Sequence, residues 1–236
     1  MVSDYARRDP AEQFAERRGI GFRERVAEIV RTGAEKARGM FDGPDFSPGG
    51  EYRYSSYGYI LLGHLMEVAA GADYYDLIAS RVFEPAGMHA TGAQPEQAGI
   101  PDLAAGYMRG PDGLQPNNAT LPYRGTPAGG GYSTLGDLDR FATALREHRL
   151  LDADRGRLLV TPQVEAGPDR HYAYGFEVEL QRGLTAIGHS GAAPGMAAIF
   201  KIIPERDWRI IILSNRDAPA TTIVTRFVLD QMFENG

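Results

Sequence analysis

The chain has 236 residues, of which 43% are hydrophobic and 24% charged, the composition of an ordinary globular protein. Its formal net charge of −6 argues against nucleic-acid binding, because such binding needs a basic surface to displace counterions. Cysteine is absent, which excludes disulfides, thiolate nucleophiles and sulfur-ligated metals.

The histidine spacing and the start of the chain bear on metal binding, membrane insertion and export. No two of the five histidines stand at HxH or HxxxH spacing, so no zinc site is expected. We also expect no other metal and no cofactor. No apolar run is long enough to span a membrane, and no export signal opens the sequence. Localisation stays open: cytoplasmic if Met1 is the true start, periplasmic or secreted if a longer parent exists.

The first part of the chain is predicted to be helices joined by loops. Residues 11–38 repeat apolar side chains at helical spacing, and residues 41–50 (FDGPDFSPGG) carry two Pro/Gly turn signals. Tyr57–Ala70 returns to the helical period and stops at Gly71, and Tyr74–Val82 predicts a second short helix.

The second part changes to strand patterning. Residues 91–131 are rich in Gly, Pro, Asn and Gln and predict loops with short strands, followed by a capped helix over Thr134–Glu147. From Tyr172 onward, β-rich runs separated by short turns are typical of an antiparallel meander. Thr221–Phe233 predicts a closing helix.

This order of elements predicts an α+β fold, an α/β sandwich in which helices flank an antiparallel sheet. We expect a single domain over residues 1–236. Its parts are a helical lead-in, a section of mainly helices and loops, and a strand meander with its closing helix, over 1–40, 41–165 and 172–236.

The stretch Tyr54-Ser55-Ser56 stands between a Pro-Gly turn and the helix predicted at Tyr57. A tyrosine hydroxyl at this place could act on a substrate. The alternative is an aromatic helix start in which Ser55 or Ser56 is the N-cap. Taken alone, the residues favour the structural interpretation.

Gly188-His189-Ser190-Gly191 places a basic residue and a hydroxyl on a predicted strand that runs into the turn Pro194-Gly195. Glycine at 191 would let a ligand lie close to the backbone, and an edge strand offers N–H and C=O groups to an amide-bearing ligand. The alternative is a hairpin with a solvent-facing histidine. The stretch is not a G-x-S-x-G nucleophile elbow, because Ala192 occupies the last glycine position.

A third stretch, the glycine run before the helix at Thr134, resembles a phosphate cradle only superficially. It lacks the Walker lysine and any G-x-G-x-x-G after a strand. We therefore expect no phosphate binding there.

Five stretches occur in one order: F-S-P-G with Y-S-S-Y-G-Y and L-L-G, then F-E-P-A-G-M, G-Y, P-A-G-G with S-T, and G-H-S-G-A-A-P-G. Together they resemble the serine β-lactamase and penicillin-binding superfamily, closest to its class C β-lactamase, D-alanyl-D-alanine carboxypeptidase and esterase branch. The resemblance covers roughly residues 41–235. It implies a β-lactamase/transpeptidase-like fold and acyl transfer or hydrolysis on an ester, a β-lactam or a D-amino-acid peptide.

The resemblance gives roles to five residues. Tyr54 matches the catalytic tyrosine, which moves protons between nucleophile and leaving group. Ser56 stands where Asn is usual and keeps a hydrogen-bonding group. His189-Ser190-Gly191 matches the Lys-Thr-Gly substrate strand; because histidine can be neutral, it would recognise a carboxylate more weakly than lysine does. These variants favour an esterase or peptidase-like member over an efficient β-lactamase.

The family's nucleophile lies in Ser-x-x-Lys, whose lysine removes the serine proton. The sequence contains two lysines, Lys36 and Lys201, and neither follows a serine at that spacing. The threonine-rich loop LLTHTSGL of the family is also missing. We therefore expect an N-terminally truncated member, with an unpaired sheet edge.

Three interpretations stay open. The chain is a catalytically incomplete serine hydrolase, a non-catalytic pseudoenzyme or binding module that uses the Tyr54/His189 cleft, or a fragment stabilised as a homodimer. The expected partner is a small acyl substrate or a peptide. Neither nucleic acid nor a membrane span is expected.

Overall fold

The computed structural model describes residues 50–95, 98–118, 120 and 124–234, which form two compact units. The helical unit comprises residues 50–78, 93–95, 98 and 124–131; the sheet unit comprises residues 79–92, 99–118, 120 and 132–234. The helix predicted over 11–38 and nearly all of the loop over 41–50 lie outside the described residues. The expectation of one domain over 1–236 stays a prediction.

Two helices dominate the helical unit. Helix α1, Ser56–Ala70, begins after Ser55, whose Oγ accepts a hydrogen bond from the Gly58 N–H at 3.1 Å, and it ends at Gly71 with a left-handed φ of 63°. Helix α2, Tyr74–Ile78, follows after a short turn. Helix α1 lies where the sequence predicts it, whereas the second predicted helix, Tyr74–Val82, is α-helical only over Tyr74–Ile78.

The last loop of the helical unit packs on these helices. A Cβ at Gly63 would lie 2.3 Å from Pro127 Cγ, so the absence of a side chain lets the loop contact α1. The Tyr75 hydroxyl donates to the Gly125 carbonyl at 2.9 Å, and the Arg124 guanidinium carbon lies 3.2 Å from the Tyr75 ring centroid. These contacts hold the glycine-rich loop against α1 and α2.

The sheet unit contains the remaining elements. A π-helical turn, Ala79–Phe83, follows α2 along the chain and leads into the short helix α3. The helices are α3 (Glu84–Ala86), α4 (Leu135–Arg146), α5 (Ala153–Val160) and α6 (Pro219–Glu234). The strands are β1 (Tyr107–Gly110), β2 (Gly113–Pro116), β3 (Val164–Gly167), β4 (Arg170–Tyr172), β5 (Glu177–Gln181), β6 (Leu184–Ala193), β7 (Met196–Ile203) and β8 (Trp208–Ser214).

Strands β3 to β8 form a six-stranded sheet in chain order, and every neighbouring pair is antiparallel. Side chains along β7 alternate strictly between half-buried and buried, the pattern of a strand with two covered faces. Strands β1 and β2 form a separate hairpin. The predicted α+β fold with an antiparallel meander is confirmed.

The meander starts earlier than predicted. It begins at Val164 rather than at Tyr172, and helix α5 precedes it within the section expected to hold helices and loops. Strands β3 and β4 have four and three residues, and Gly167 bends β3 with a φ of 140°. Such short strands carry too few alternating apolar positions to be recognised from sequence.

Helices cover both faces of the sheet. Phe200 on β7 packs against Phe141 on α4, with ring centroids 5.8 Å apart. Ile203, also on β7 but on the opposite face, belongs to a buried cluster with partly buried side chains of α6 packed against it. That cluster comprises Ala186, Ile203 and Ile210, with Leu229 and Met232 from α6. The sheet unit is therefore a helix–sheet–helix sandwich.

Candidate active site

Tyr54 and Ser56 flank the N-cap of α1. The capping hydrogen bond is made by Ser55, so capping explains neither of its neighbours. Tyr54 is 39% exposed, and its ring centroid lies 6.1 Å from that of Tyr59. Ser56 is the first helical residue and is half-buried. The structure thus places both hydroxyl-bearing residues at the start of α1, within the helical unit.

His189 lies on β6 and contacts a tyrosine that the sequence does not point to. Its Nε2 is 3.0 Å from the Tyr172 hydroxyl, and the two rings are perpendicular, with centroids 5.8 Å apart. Its Nδ1 is 2.7 Å from the Ser190 carbonyl oxygen. Tyr172 ends β4 and is 8% exposed. Both ring nitrogens of His189 are therefore within hydrogen-bond distance of protein groups.

These two contacts indicate which nitrogen carries the proton in the neutral ring. A carbonyl oxygen can only accept, so the Nδ1–H of His189 donates to Ser190. In the neutral imidazole Nε2 is then the acceptor, and the Tyr172 hydroxyl donates to it. The Ser190 carbonyl thereby fixes the tautomer, and the Tyr172 hydroxyl, as the donor to Nε2, helps to fix the orientation of the ring.

Beyond His189, towards its C-terminal end, strand β6 is paired with another strand on one side only. Strand β5 pairs with β6 over Leu184–Gly188, whereas β7 pairs with it over Ile187–Ala193. Over residues 190–193, which we call the open edge, no other described strand pairs with β6, and these residues are exposed. In a strand with one partner, alternate residues direct their N–H and C=O groups to the unpaired side.

Two glycines on β6 serve different purposes. A Cβ at Gly188 would lie 1.9 Å from the Phe200 carbonyl oxygen, so this glycine is required by the packing of the sheet. A Cβ at Gly191 would meet nothing within 4 Å, and its φ is outside the left-handed region. The described residues therefore give no packing reason for glycine at 191, on the open edge.

Lys201 is held within the sheet. It lies opposite Gly188 on β7, and its Nζ forms an ion pair with Glu179 of β5 across the glycine. Both side chains are largely buried. The other lysine, Lys36, lies outside the described residues. Lys201 thus has a structural role in the sheet unit.

The beta-lactamase family profile matches residues 32–231, a stretch that includes Tyr54, α1 and the whole of β6. The chain belongs to the beta-lactamase family. The resemblance that the five ordered stretches indicate is confirmed.

Relatives of this beta-lactamase-family chain include penicillin-binding protein 4* of Bacillus subtilis (strain 168), 28% identical over 189 residues, and a D-aminopeptidase of Cereibacter sphaeroides (strain ATCC 17029 / ATH 2.4.9), 26% identical over 185 residues. The matches cover 73% and 74% of this chain but 41% and 34% of those proteins. A penicillin-binding protein structure from Bacillus halodurans aligns with a TM-score of 0.75 at 28% identity, covering 80% of this chain and 59% of that one. The chain spans less than half the length of these two curated relatives.

The third stretch noted in the sequence, the glycine run that leads into α4, has a structural role in this family member. The Thr134 Oγ1 caps α4 by accepting from the Asp137 N–H at 3.1 Å. Asp137 is fully buried and accepts from the Ala90 N–H at 2.8 Å, from the Thr91 hydroxyl at 2.6 Å and from Arg140. Burial acts to raise the pKa of Asp137, but the hydrogen bonds and the positive charge of Arg140 outweigh it and leave that pKa below its ordinary value.

Within the described ranges, no group of three or more histidine, aspartate or glutamate side chains is arranged to hold a metal ion. The expectation of no metal and no cofactor stays a prediction. Across the same ranges, no helix is both long and apolar enough to cross a membrane.

The predicted site residues fall into two groups. Tyr54 and Ser56 are together in the helical unit, and His189, Ser190 and Gly191 are consecutive on β6 in the sheet unit. Tyr172 was not among the predicted residues, since its partnership with His189 depends on the pairing of β4, β5 and β6. The sequence signal is limited to a tyrosine in an aromatic-rich segment, H-Y-A-Y-G-F.

Proposed function

We propose that this chain supplies the tyrosine and the substrate-binding strand of a serine acyl hydrolase that acts on an ester, a β-lactam or a D-amino-acid peptide. The observation that carries the proposal is the open edge of β6, where Gly191 leaves space beside unpaired backbone groups. An acyl or amide ligand can extend the sheet there. Membership of the beta-lactamase family and similarity to a D-aminopeptidase support an acyl substrate.

Each predicted residue has a role in the proposed reaction. A serine oxygen attacks the acyl carbonyl, and Tyr54 carries the proton from the nucleophile to the leaving group. Ser56 adds a second hydroxyl at the start of α1 for hydrogen bonding to the substrate. The N–H groups of the open edge stabilise the negative charge that develops on the carbonyl oxygen.

His189 orients the strand in this proposal. Because its ring nitrogens contact Tyr172 and the Ser190 carbonyl, the ring holds the backbone at the start of the open edge. Binding a ligand carboxylate would require His189 to give up one of these contacts. The proposed site therefore suits esters and amides better than substrates that need a cation at this position.

The nucleophile is not among these residues. No Ser-x-x-Lys occurs in the sequence, and Lys201 forms an ion pair with Glu179. A serine hydroxyl without an adjacent base is a poor nucleophile. We propose that turnover requires a serine and a lysine from outside this sequence.

The same absence favours a second candidate, a non-catalytic binding module that holds a peptide or acyl compound without turning it over. A third candidate is a homodimer, which is favoured by the exposed apolar side chains of α6: Ile223, Val224 and Phe227. Light scattering at micromolar concentration distinguishes the third candidate, since a stable monomer would contradict it.

The test measures binding and turnover separately. The chain is incubated with a penicillin and an activated aryl ester, alone and together with a family polypeptide that carries Ser-x-x-Lys. We expect no acyl adduct in the intact mass of the chain alone. In the mixture we expect ester hydrolysis to be restored, and we expect the Tyr54→Phe substitution to abolish it. Binding without any restored hydrolysis would favour the binding module, and an acyl adduct on the chain alone would refute the need for an external nucleophile.

Binding is measured with N-acetyl-D-alaninamide, through the amide resonances of residues 190–193. Gly191→Ala should weaken it about tenfold, because a methyl group then occupies the space beside the edge. The matched control is Gly156→Ala on α5, where a Cβ would also fit and no ligand contact is proposed. Equal binding by the Gly191→Ala variant and the unmodified chain would contradict the proposed edge.

A further inference from the structure

The turn that ends the open edge is gripped by side chains from two distant parts of the sheet unit. Pro194 and Gly195 connect β6 to β7, and Ala193 pairs with Met196 across them. The Asn117 Nδ2 donates to the Pro194 carbonyl at 2.9 Å. The Gly195 N–H donates to the Asp217 Oδ1 at 2.9 Å. The two bonds engage the C=O and the N–H of the same peptide group.

Both gripping side chains are themselves anchored. The second oxygen of Asp217 accepts from the Arg109 N–H of β1 at 3.0 Å. The Asn117 N–H donates to the Gly106 carbonyl at 3.0 Å, and the Thr120 hydroxyl donates to the Asn117 carbonyl at 2.8 Å. Asn117 is 2% exposed. Asn117 and Asp217, which together we call the clamp, therefore connect the turn to the β1–β2 hairpin and its flanking residues.

The clamped peptide is the one whose orientation defines the turn. Gly195 has a φ of 73°, as the third residue of a type II turn requires, and rotation of the central peptide would convert the turn to another type. Rotation would break both hydrogen bonds at once. A Cβ at Gly195 would lie 2.7 Å from the Asn117 Cβ, so the backbone is also in close contact with the clamp.

We propose that Asn117 and Asp217 are positioning residues that fix the Pro194–Gly195 peptide and thereby hold the open edge of β6 in its ligand-binding geometry. This role rests on the proposed function, because it concerns the same edge. The hydrogen bonds from the Gly195 and Arg109 amides hold the pKa of Asp217 below its ordinary value, so that it stays an acceptor in mild acid.

Asn117→Asp is the sharpest perturbation, because it keeps the shape and removes the donor to Pro194. The introduced carboxylate, when ionised, would face the carbonyl without a proton, whereas burial raises the pKa of such a carboxyl and its protonated form can donate again. At about pH 7.5 we expect altered amide resonances at residues 190–195 and about tenfold weaker binding of N-acetyl-D-alaninamide, both reversed near pH 5. Asn118→Asp, an exposed neighbour with the same chemical change, should alter neither.

Asp217→Asn provides a second variant. Its amide oxygen can accept from Gly195 or from Arg109 but not from both, so about threefold weaker binding is expected, without recovery in acid. Asp112→Asn, on the exposed turn of the β1–β2 hairpin, is its control. Unchanged resonances at 190–195 in both clamp variants would overturn the proposal.

The resonances of the ligand-free protein separate this proposal from the proposed function. If the unmodified chain binds no N-acetyl-D-alaninamide while Asn117→Asp shifts residues 190–195 reversibly with pH, the clamp stands and the ligand assignment fails. If the unmodified chain binds the probe and both clamp variants bind it equally well, the positioning role is refuted.

Discussion

Replacing Tyr172 by phenylalanine isolates one hydroxyl group. The ring is buried and stays in place, so the change leaves no cavity. It removes the 3.0 Å hydrogen bond to the His189 Nε2. A net hydrogen bond contributes about 0.5–1.5 kcal/mol, and leaving a partner unsatisfied adds to the loss when that partner is buried. Because His189 is half-buried, we expect Tyr172→Phe to lower the free energy of unfolding by about 1–2 kcal/mol.

Urea unfolding measures that loss, and the imidazole ¹⁵N resonances of His189 report the tautomer. Tyr174→Phe is the matched control, since Tyr174 lies two residues away and is 56% exposed; its effect should be within about 0.5 kcal/mol. We expect Tyr172→Phe to change the ¹⁵N signals of His189 and Tyr174→Phe to leave them unchanged. Equal unfolding free energies for the two variants, with identical His189 signals, would refute the role assigned to Tyr172.

Two further predictions concern the sheet unit. Gly188→Ala should lower the free energy of unfolding by about 1–3 kcal/mol or more, because its methyl group would overlap the Phe200 carbonyl. Gly191→Ala should leave the free energy of unfolding unchanged in the same urea titration. Asp137→Asn should lower the free energy of unfolding by about 3 kcal/mol near neutral pH, because it weakens a buried network of hydrogen bonds. The folded pKa of Asp137 lies below the unfolded value of about 3.9, so its stabilisation is present above that value and is lost as pH falls through the folded pKa. Unfolding measured from neutral to acidic pH should therefore show the gap between Asp137→Asn and the unmodified chain closing in acid.

The elements that sequence predicts well are those whose signals are local. The ends of α1 are marked by Ser55 and Gly71, which satisfy the exposed backbone groups of a helix without help from the rest of the chain. Strands β6, β7 and β8 carry long apolar runs separated by turn residues. The family assignment follows from the same segments, because its motifs lie at these helix starts and strand ends.

The contacts at the candidate site could not be predicted in the same way. Tyr172 and His189 are 17 residues apart and meet through the pairing of β4 with β5 and of β5 with β6. Asn117 and Asp217 grip one peptide from opposite sides, although neither lies near Pro194 in sequence. Such pairs depend on register and on tertiary packing, and a single sequence carries no local signal for either.

In the proposed substrate strand, where the resemblance matches His189 to a lysine of the family, histidine changes what the strand can offer. A lysine ammonium has donors and no acceptor, whereas a neutral imidazole has one of each. His189 uses its donor for the Ser190 carbonyl and its acceptor for the Tyr172 hydroxyl, so the ring is built into the strand by contacts that lysine could not reproduce together. A fixed positive charge is thereby exchanged for a fixed backbone geometry. For the proposed acyl hydrolase, this favours recognition of the substrate through its amide or ester group along the edge over recognition through a carboxylate.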